Sequence, residues 1–362
     1  MVLATGGTIA GQAAHAGEGV AYQAAQLQVE DLLQHIAGLP ELLGSDTLLG
    51  EQVAQLNSKD MGFATWQVLV QRCAHWLAQP DVRALVVTHG TDTLEETAFF
   101  LQQALAAAPD AAAWRHKPLL LTCAMRPATA RLSDGPQNLA DAVALARDAH
   151  AQGVLVMVAG QVHAADAVQK IHPYRLDAFS SGDVGLLAYV EEGRVRWLRH
   201  PPAWPQARIH AHAHAAAGTS VNTDADDEAG AALWQALQNV PPAQWPWVEV
   251  LHSHAGANPR ALQALAQAGV QGVVLAATGN ATVHAALEEA AQQLAAQGVA
   301  VRQAPRCSAS AVVRSADSVD VVPLAWHARD DGEPSGPRGA AYVLPVSKAR
   351  VQLLLQLLAR KA

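Results

Sequence analysis

The chain has 362 residues, of which 51% are hydrophobic and 15% are charged, and its formal net charge is −8. This length suffices for two domains with sizeable cores, and the negative balance leaves no basic footprint for nucleic acid. No apolar run approaches the roughly 20 residues of a membrane helix. Cys73, Cys123 and Cys307 form no CxxC pair, so they indicate buried thiols rather than a disulfide framework or a zinc site.

The location of the protein is predicted from its first residues. The apolar run Val2 to Ala4 stands where a secretory signal would place a charged segment, an apolar core and a cleavage site. A cytoplasmic location is therefore predicted. A leader upstream of this sequence would change that expectation to the periplasm.

The first part of the chain alternates apolar strands with amphipathic helices. This alternation predicts a doubly wound, mostly parallel α/β sheet, and a hairpin at 184–198 completes an N-terminal domain of residues 1–201. Strands are predicted at 2–4, 53–56, 84–87, 118–122 and 154–159, and helices at 29–37, 63–78, 137–150 and from residue 94 onward.

The composition changes near residue 201. Residues 202–246 carry many prolines and the alternating histidines His210, His212 and His214, and they are predicted to be an interdomain linker with one helix at 229–239. Histidines in an alanine-rich run favour a solvated loop over a metal site. A second, smaller α/β domain is predicted for residues 247–362, with strands at 248–252, 270–276 and 299–302 and helices at 259–268, 281–297 and 347–360.

A glycine-rich loop, residues 5–11 (TGGTIAG), follows the first predicted strand. Glycine tolerates positive φ, so the paired glycines allow a sharp turn whose N–H groups can face an oxyanion. Thr5 and Thr8 add two hydroxyls at the end of a strand, where open α/β sheets bind ligands. An ordinary strand-to-helix turn is the alternative. Residues 12–21, rich in glycine and alanine, would suit either a flap over Thr8 or a disordered surface loop.

Two further polar turns follow predicted strands. Residues 89–93 (HGTDT) end the strand at 84–87, and Asp92 or Thr93 can cap the next helix. Glu95 and Glu96 fall in the first turn of that helix, where its dipole favours negative charge. Residues 57–60 (NSKD) form the third such turn. The strand ends thus present hydroxyls and carboxylates together.

The TGGTIA loop and the HGTDT-EET segment together resemble the two signatures of the L-asparaginase/glutaminase family. The resemblance implies hydrolysis of L-asparagine to L-aspartate and ammonia, with glutamine as a weaker substrate. It implies no metal and no organic cofactor, and assembly as a homotetramer built from intimate dimers. Nucleic acid and membrane are not expected partners.

The resemblance also implies roles for five residues of the reaction centre. Thr8 would be the nucleophile that forms an acyl-enzyme, and Tyr22 would hydrogen-bond its hydroxyl. Thr91, Asp92 and Lys170 would form a second triad. A threonine hydroxyl needs help to attack an amide, and a lysine beside a carboxylate and a hydroxyl can relay a proton. Tyr22 as a core aromatic and Lys170 as a surface lysine are the alternatives.

Substrate binding is implied for four residues. Ser58 would hold the α-carboxylate of the substrate, Asp92 its α-ammonium, and Asn280 would reach the site of a neighbouring subunit. Lys59 stands where the family usually has glutamine, and a cation there would disfavour an ammonium and favour a carboxylate. Ser58 as a simple turn former is the alternative.

The small domain offers no secure match for the glutamate that often contacts the substrate ammonium in this family, and Asp331 and Glu333 are the candidates. Three functions stay open at this point: an asparaginase, an amidase for a related small amide, and a non-catalytic amino-acid sensor supported by Lys59. A nucleotide-binding enzyme is disfavoured, because neither GxGxxG nor a P-loop lysine is present.

Overall fold

The computed structural model describes residues 1–15, 17, 19–201, 204, 223–307, 311–313 and 340–362. The histidine tract at 210–214 and the candidates Asp331 and Glu333 lie outside these residues. The chain divides into two compact units. The first consists of Met1–Leu105, Pro109–Ser181 and Gly185–Trp204, and the second of Ala106–Ala108, Gly182–Val184 and Pro205–Ala362.

The first unit is organised around one large sheet. Eight strands pair in the order β12-β11-β8-β7-β6-β5-β1-β4, and the five from β4 to β7 run parallel. The strands of this unit are β1 Val2–Gly6, β2 Gln12–Ala13, β3 Tyr22–Gln23, β4 Gly50–Leu56, β5 Leu85–Thr88, β6 Leu119–Thr122, β7 Val154–Val158, β8 Gln161–Ala164, β9 Gln169–Lys170, β10 Phe179–Ser180, β11 Ala188–Glu191 and β12 Arg194–Trp197.

The strand order explains where a site can form. The chain leaves β1 towards the edge strand β4 and then returns past β1 to β5. Because parallel crossovers are right-handed, these two connections lie on opposite faces of the sheet. The reversal leaves a crevice at the carboxyl ends of β1 and β5, which is where open α/β sheets bind ligands. The predicted doubly wound, mostly parallel sheet is confirmed.

The strand that follows β7 was not predicted from the sequence. β8 returns antiparallel to β7 through a turn at Ala159 and Gly160, whose φ values are +51° and +70°. β11 and β12 form the predicted hairpin, and β11 pairs with β8. The sheet is therefore parallel on the side of the site and antiparallel at the far edge.

Helices cover the parallel strands of the first unit. The bounds differ from the predicted ones by a few residues, and the predicted helix at 29–37 ends at Gln34, before Gly38 turns the chain with φ +65°. The helices are α1 Val29–Gln34, α2 Leu39–Leu43, α3 Phe63–Leu77, α4 Leu94–Ala106, α5 Ala111–Trp114 and α6 Gly135–Ala146.

The second unit is smaller and also α/β. Its strands β13, β14 and β15 form a parallel sheet. α7 lies within the predicted linker 202–246, begins six residues earlier than the helix predicted there, packs against α10 and is grouped with this unit. The elements are α7 Thr223–Asn239, β13 Val248–His252, α8 Arg260–Gln267, β14 Gly272–Ala277, α9 Ala285–Ala296, β15 Ala300–Pro305, β16 Ala311–Val313, β17 Ala340–Tyr342 and α10 Val346–Ala359.

Each unit has its own apolar interior. In the first unit β1, β5, β6 and β7 are buried along their whole length. In the second unit Val273 and Leu275 of β14 pack with Leu262 and Leu294 of the flanking helices. Across the residues described, no helix combines the length and apolar character needed to cross a membrane.

Candidate active site

The loops after β1, β4 and β5 converge at the crevice. The strand register places Ala4 beside Thr88, so the TGGTIA and HGTDT loops leave the sheet side by side. A Cβ on Gly7 would lie 2.3 Å from Cα of Gly90, and a Cβ on Gly90 would lie 2.4 Å from Oγ of Ser58. The three loops therefore touch, and two glycines make that approach possible.

The loop after β1 is held in place by backbone bonds. Gly7 has φ +82° and ψ −169°, a conformation open essentially to glycine alone. Its N–H donates to Leu56 O at 2.9 Å and its carbonyl accepts from Ala25 N at 3.0 Å. The Gly7 N–H is thus committed to the loop, and an oxyanion at this site would take its hydrogen bonds from other donors.

Among the described residues, the Thr8 hydroxyl has one side-chain partner. Thr8 starts a single 3₁₀ turn and is buried, and its Oγ1 lies 2.6 Å from Oη of Tyr22. Tyr22 reaches it because β2 and β3 form a short hairpin that pairs Ala13 with Tyr22. The segment 12–21, predicted as a flap or a loose loop, therefore begins with the first strand of this hairpin, and Ala13 N donates to Oγ1 of Thr129 at 2.8 Å.

A second hydrogen-bonded group surrounds Lys170. Its Nζ donates to Oγ1 of Thr91 at 2.8 Å and to Oδ1 of Asp92 at 2.7 Å. The Lys170 side chain is 18% exposed and that of Asp92 is 49% exposed, while Thr91 is buried. The structure thus brings together the three residues that the family resemblance grouped.

Ser58 links the third loop to the second. Its buried Oγ accepts from the Asp92 N–H at 3.1 Å, and its carbonyl accepts from Oγ1 of Thr93 at 2.8 Å. These bonds fix the turn that carries Thr91 and Asp92. Whether Ser58 also contacts a substrate stays a prediction.

The other two residues of the predicted binding set lie at exposed positions. The Lys59 ammonium is 3.4 Å from a carboxylate oxygen of Asp60, and its side chain is 65% exposed. Asn280 lies in the second unit, in an exposed turn between the bridged residues Thr278 and Thr282. Their roles in binding stay predictions.

Glu95 makes a hydrogen bond to Lys170 that was not predicted from the sequence. It lies in the first turn of α4, as expected, but its Oε2 also accepts from the backbone N–H of Lys170 at 2.6 Å. In the sequence, Glu95 was noted for the helix dipole and as part of the HGTDT-EET segment, and neither signal connects it with a position 75 residues away.

His89 is the second residue that the sequence left without a role. It is fully buried, and its Nδ1 lies 2.7 Å from the Gly90 carbonyl. A carbonyl only accepts, so Nδ1 carries the proton. Nε2 is a buried atom with no hydrogen-bond partner among the described residues. Burial lowers the pKa of His89 to about 4, against the smaller raising effect of the bond to Gly90.

The low pKa of His89 predicts a pH dependence of stability. An unfolded histidine has a pKa of about 6.5, so at pH 5 the unfolded chain binds a proton that the folded chain does not. Stability therefore falls as the pH drops below about 6.5, by about 2 kcal/mol between pH 7 and 5 for this residue. Urea unfolding of the wild type and of His89→Asn, whose amide can still donate to Gly90, measures the difference.

The asparagine variant is expected to lack this part of the pH dependence. His116→Asn, at an exposed position, is the matched control and keeps the dependence of the wild type. An equal loss of stability in the wild type and in His89→Asn would mean that the folded protein protonates His89 as readily as the unfolded chain does.

The cysteines are separate from this chemistry. Cys73 and Cys123 are buried, and burial raises the pKa of both thiols, so they stay protonated and poorly nucleophilic. Cys307 is exposed, and the prediction that all three are buried is wrong for it because it follows the end of β15 at the surface. The described residues contain no cluster of histidine, cysteine, aspartate and glutamate that could hold a metal ion.

The first unit is an open α/β sheet with threonine hydroxyls, a lysine and a carboxylate at its switch point, and a smaller α/β unit follows it. The chain belongs to the asparaginase family: residues 1–203 match the asparaginase N-terminal domain and residues 247–361 match the glutaminase/asparaginase C-terminal domain. The resemblance inferred from the two motifs is confirmed.

Individual relatives extend this match over most of the chain. It is 36% identical to a glutaminase-asparaginase of Pseudomonas fluorescens biotype A over 88% of this chain and 79% of the relative. It is 32% identical to a probable periplasmic L-asparaginase of Haemophilus influenzae over 88% and 80%. The crystal structure of a probable cytoplasmic L-asparaginase from Campylobacter jejuni matches with a TM-score of 0.73 and 29% identity, over 98% of this chain and 94% of that one.

Proposed function

We propose that the protein is an L-asparagine amidohydrolase that works through an acyl-enzyme on Thr8. The observation that carries the proposal is the pairing of two hydrogen-bonded groups, Thr8 with Tyr22 and Thr91 with Lys170 and Asp92, on loops that touch at Gly7 and Gly90. The names of the relatives support asparagine, and glutamine as a second substrate.

In the first half of the proposed reaction, Thr8 Oγ1 attacks the side-chain amide carbon of asparagine. Tyr22 Oη, at 2.6 Å, is positioned to accept the hydroxyl proton while its own phenolic proton passes on towards the amide nitrogen. The C–N bond then breaks, the nitrogen leaves as ammonia with that proton, and the aspartyl group stays on Thr8 as an ester. Dividing one amide hydrolysis into two steps is the usual advantage of a covalent intermediate.

In the second half, a water attacks the ester and releases aspartate. The Lys170 amine, between Thr91 and Asp92, relays the proton from that water through the Thr91 hydroxyl, and the proton returns to Thr8 as the ester bond breaks. The carboxylate of Asp92 stabilises the ammonium form of Lys170 while the proton is held there. The exposed face of Asp92 is also available to a substrate ammonium.

A non-catalytic sensor and an amidase for a related small amide are the competing functions. Lys59 was the main argument for the sensor, and its ion pair with Asp60 in solvent weakens that argument. Unlike a sensor, an enzyme needs its nucleophile beside a proton acceptor, and the Thr8–Tyr22 pair supplies that geometry.

Ammonia release decides between these functions. We expect the purified protein to release one ammonia per aspartate from L-asparagine, and to release ammonia more slowly from L-glutamine. D-amino-acid amides and N-substituted asparagines should give no more ammonia than the Thr8→Ala blank. Turnover of a different small amide and not of asparagine would favour the related amidase. Tight binding of aspartate without ammonia from any amide would establish the sensor instead.

Assembly and location remain proposals that follow from the family. Relatives called periplasmic and cytoplasmic are both similar to this chain, and we propose the cytoplasm. We also propose a homotetramer, in which Asn280 contributes to the site of a neighbouring subunit. Light scattering of the purified protein measures the assembly.

A further inference from the structure

Lys170 lies in a short strand, β9, that is not part of the eight-stranded sheet. β9 has two residues and pairs with the equally short β10, matching Lys170 with Phe179, and neither strand belongs to the eight-stranded sheet. Lys170 also has a long and flexible side chain. A short two-stranded pair is a weak restraint, so the ammonium needs a further anchor to stay on Thr91 and Asp92.

Glu95 supplies such an anchor. Its Oε2 accepts from the Lys170 N–H at 2.6 Å, and the charge of a carboxylate strengthens such a bond. Glu95 and Lys170 are both half-buried, which limits competition from water. The bond holds the backbone of Lys170 and not its side chain. It therefore fixes the position of the main chain from which the side chain extends to Thr91 and Asp92.

Glu95 is also rigidly connected to the two partners of that ammonium. Thr91 and Asp92 lie in the turn that leads directly into α4, and Glu95 lies in the first turn of this helix. The Lys170 ammonium bonds to the turn while the Lys170 N–H bonds to the helix. The turn and the helix form one continuous segment, and this segment therefore binds both the backbone and the side-chain end of Lys170.

We propose that Glu95 is a positioning residue that places Lys170 for proton relay in the reaction proposed above. The inference rests on that reaction for its kinetic consequence. Its structural consequence does not depend on that reaction. Without a hydrogen-bond acceptor at position 95, the Lys170 ammonium moves away from Thr91.

Two variants separate the hydrogen bond from the charge. Glu95→Gln keeps an oxygen acceptor and loses the charge, and Glu95→Ala loses both. We expect Glu95→Ala to lower kcat about 10- to 100-fold, as displaced supporting residues do, with KM within about threefold of the wild type. Glu95→Gln should stay within about threefold in kcat, and the kcat–pH profile should move only in the alanine variant.

A double-mutant cycle with Lys170→Met tests whether Glu95 acts through the lysine. In the Lys170→Met background, Glu95→Ala should have almost no further effect on kcat, because the group that it positions is gone. Independent losses that multiply would mean that Glu95 supports the fold in general, and would overturn the proposal. Equal urea midpoints of the two Glu95 variants exclude a difference in folding as the cause.

Crystal structures of the two variants keep this test separate from the proposed reaction. The Lys170 Nζ to Thr91 Oγ1 distance should stay near 2.8 Å in Glu95→Gln and exceed about 3.5 Å, the limit of a hydrogen bond, in Glu95→Ala. A wild type without amide turnover would refute the proposed reaction and leave this measurement valid. An unchanged distance in Glu95→Ala would refute the role of Glu95 whatever the turnover.

Discussion

Thr8→Ala is expected to lower kcat for L-asparagine by about 10⁴-fold or more, since loss of a nucleophile has that order of effect in enzymes that form acyl intermediates. The substitution removes the hydroxyl 2.6 Å from Tyr22 and leaves the loop bonds at Gly7 and Gly11 in the backbone. Binding of the product aspartate should therefore change only a few-fold. Coupled ammonia detection gives kcat, and calorimetric titration with aspartate gives the affinity.

Two further variants make this result specific. Thr8→Ser keeps a hydroxyl and should retain measurable turnover and a trapped ester after rapid quenching. Thr65→Ala makes the same deletion at a half-buried position in the first turn of α3 and should keep the wild-type kcat. Turnover by Thr8→Ala within tenfold of the wild type would assign the attack to another group, with Thr91 as the first candidate.

The parts of the site that follow strands could be predicted from the sequence. The loops at 5–11, 57–60 and 89–93 each follow a predicted strand, and parallel strands bring such loops to one edge of the sheet. The family resemblance added Lys170 and Tyr22, whose hydrogen-bond partners are distant in the sequence and close in space. The Lys170–Thr91 bond spans 79 positions, and local patterns contain no information on such a contact.

The misses have equally local causes. The β7–β8 hairpin turns at Ala159 and Gly160 with both φ values positive, a geometry that asparagine or aspartate before glycine would have signalled and alanine does not. Glu95 matched both a helix dipole and the HGTDT-EET motif, and neither signal pointed to Lys170. α7 was predicted too short because residues 223–228 are mainly polar and lack an apolar stripe. In each case the local sequence lacked the signal that would have predicted the observed structure.

Gly7→Ala is expected to disrupt the site and the fold around it together. The new Cβ would lie 2.3 Å and 2.4 Å from Cα and N of Gly90, where ordinary contacts need about 3.5 Å or more. The φ of +82° adds backbone strain. Since both obstacles are backbone, no side-chain rotation relieves them, and the two loops must separate by about 1 Å. Such a shift costs about 100-fold in kcat, and we expect a loss of about 3 kcal/mol or more in unfolding free energy.

Gly298→Ala separates the effect of backbone strain from that of a steric clash. Gly298 has φ +91°, but no atom lies within 4 Å of the position that its Cβ would take. We expect it to lose about 1–2 kcal/mol from backbone strain and to keep the wild-type kcat. Gly62→Ala, with neither obstacle, should change both quantities little. The excess loss in Gly7→Ala over Gly298→Ala then measures the contact between the TGGTIA and HGTDT loops. A Gly7→Ala enzyme with normal kcat would mean that the two loops can separate without consequence, and that Thr8 and Thr91 do not act in one site.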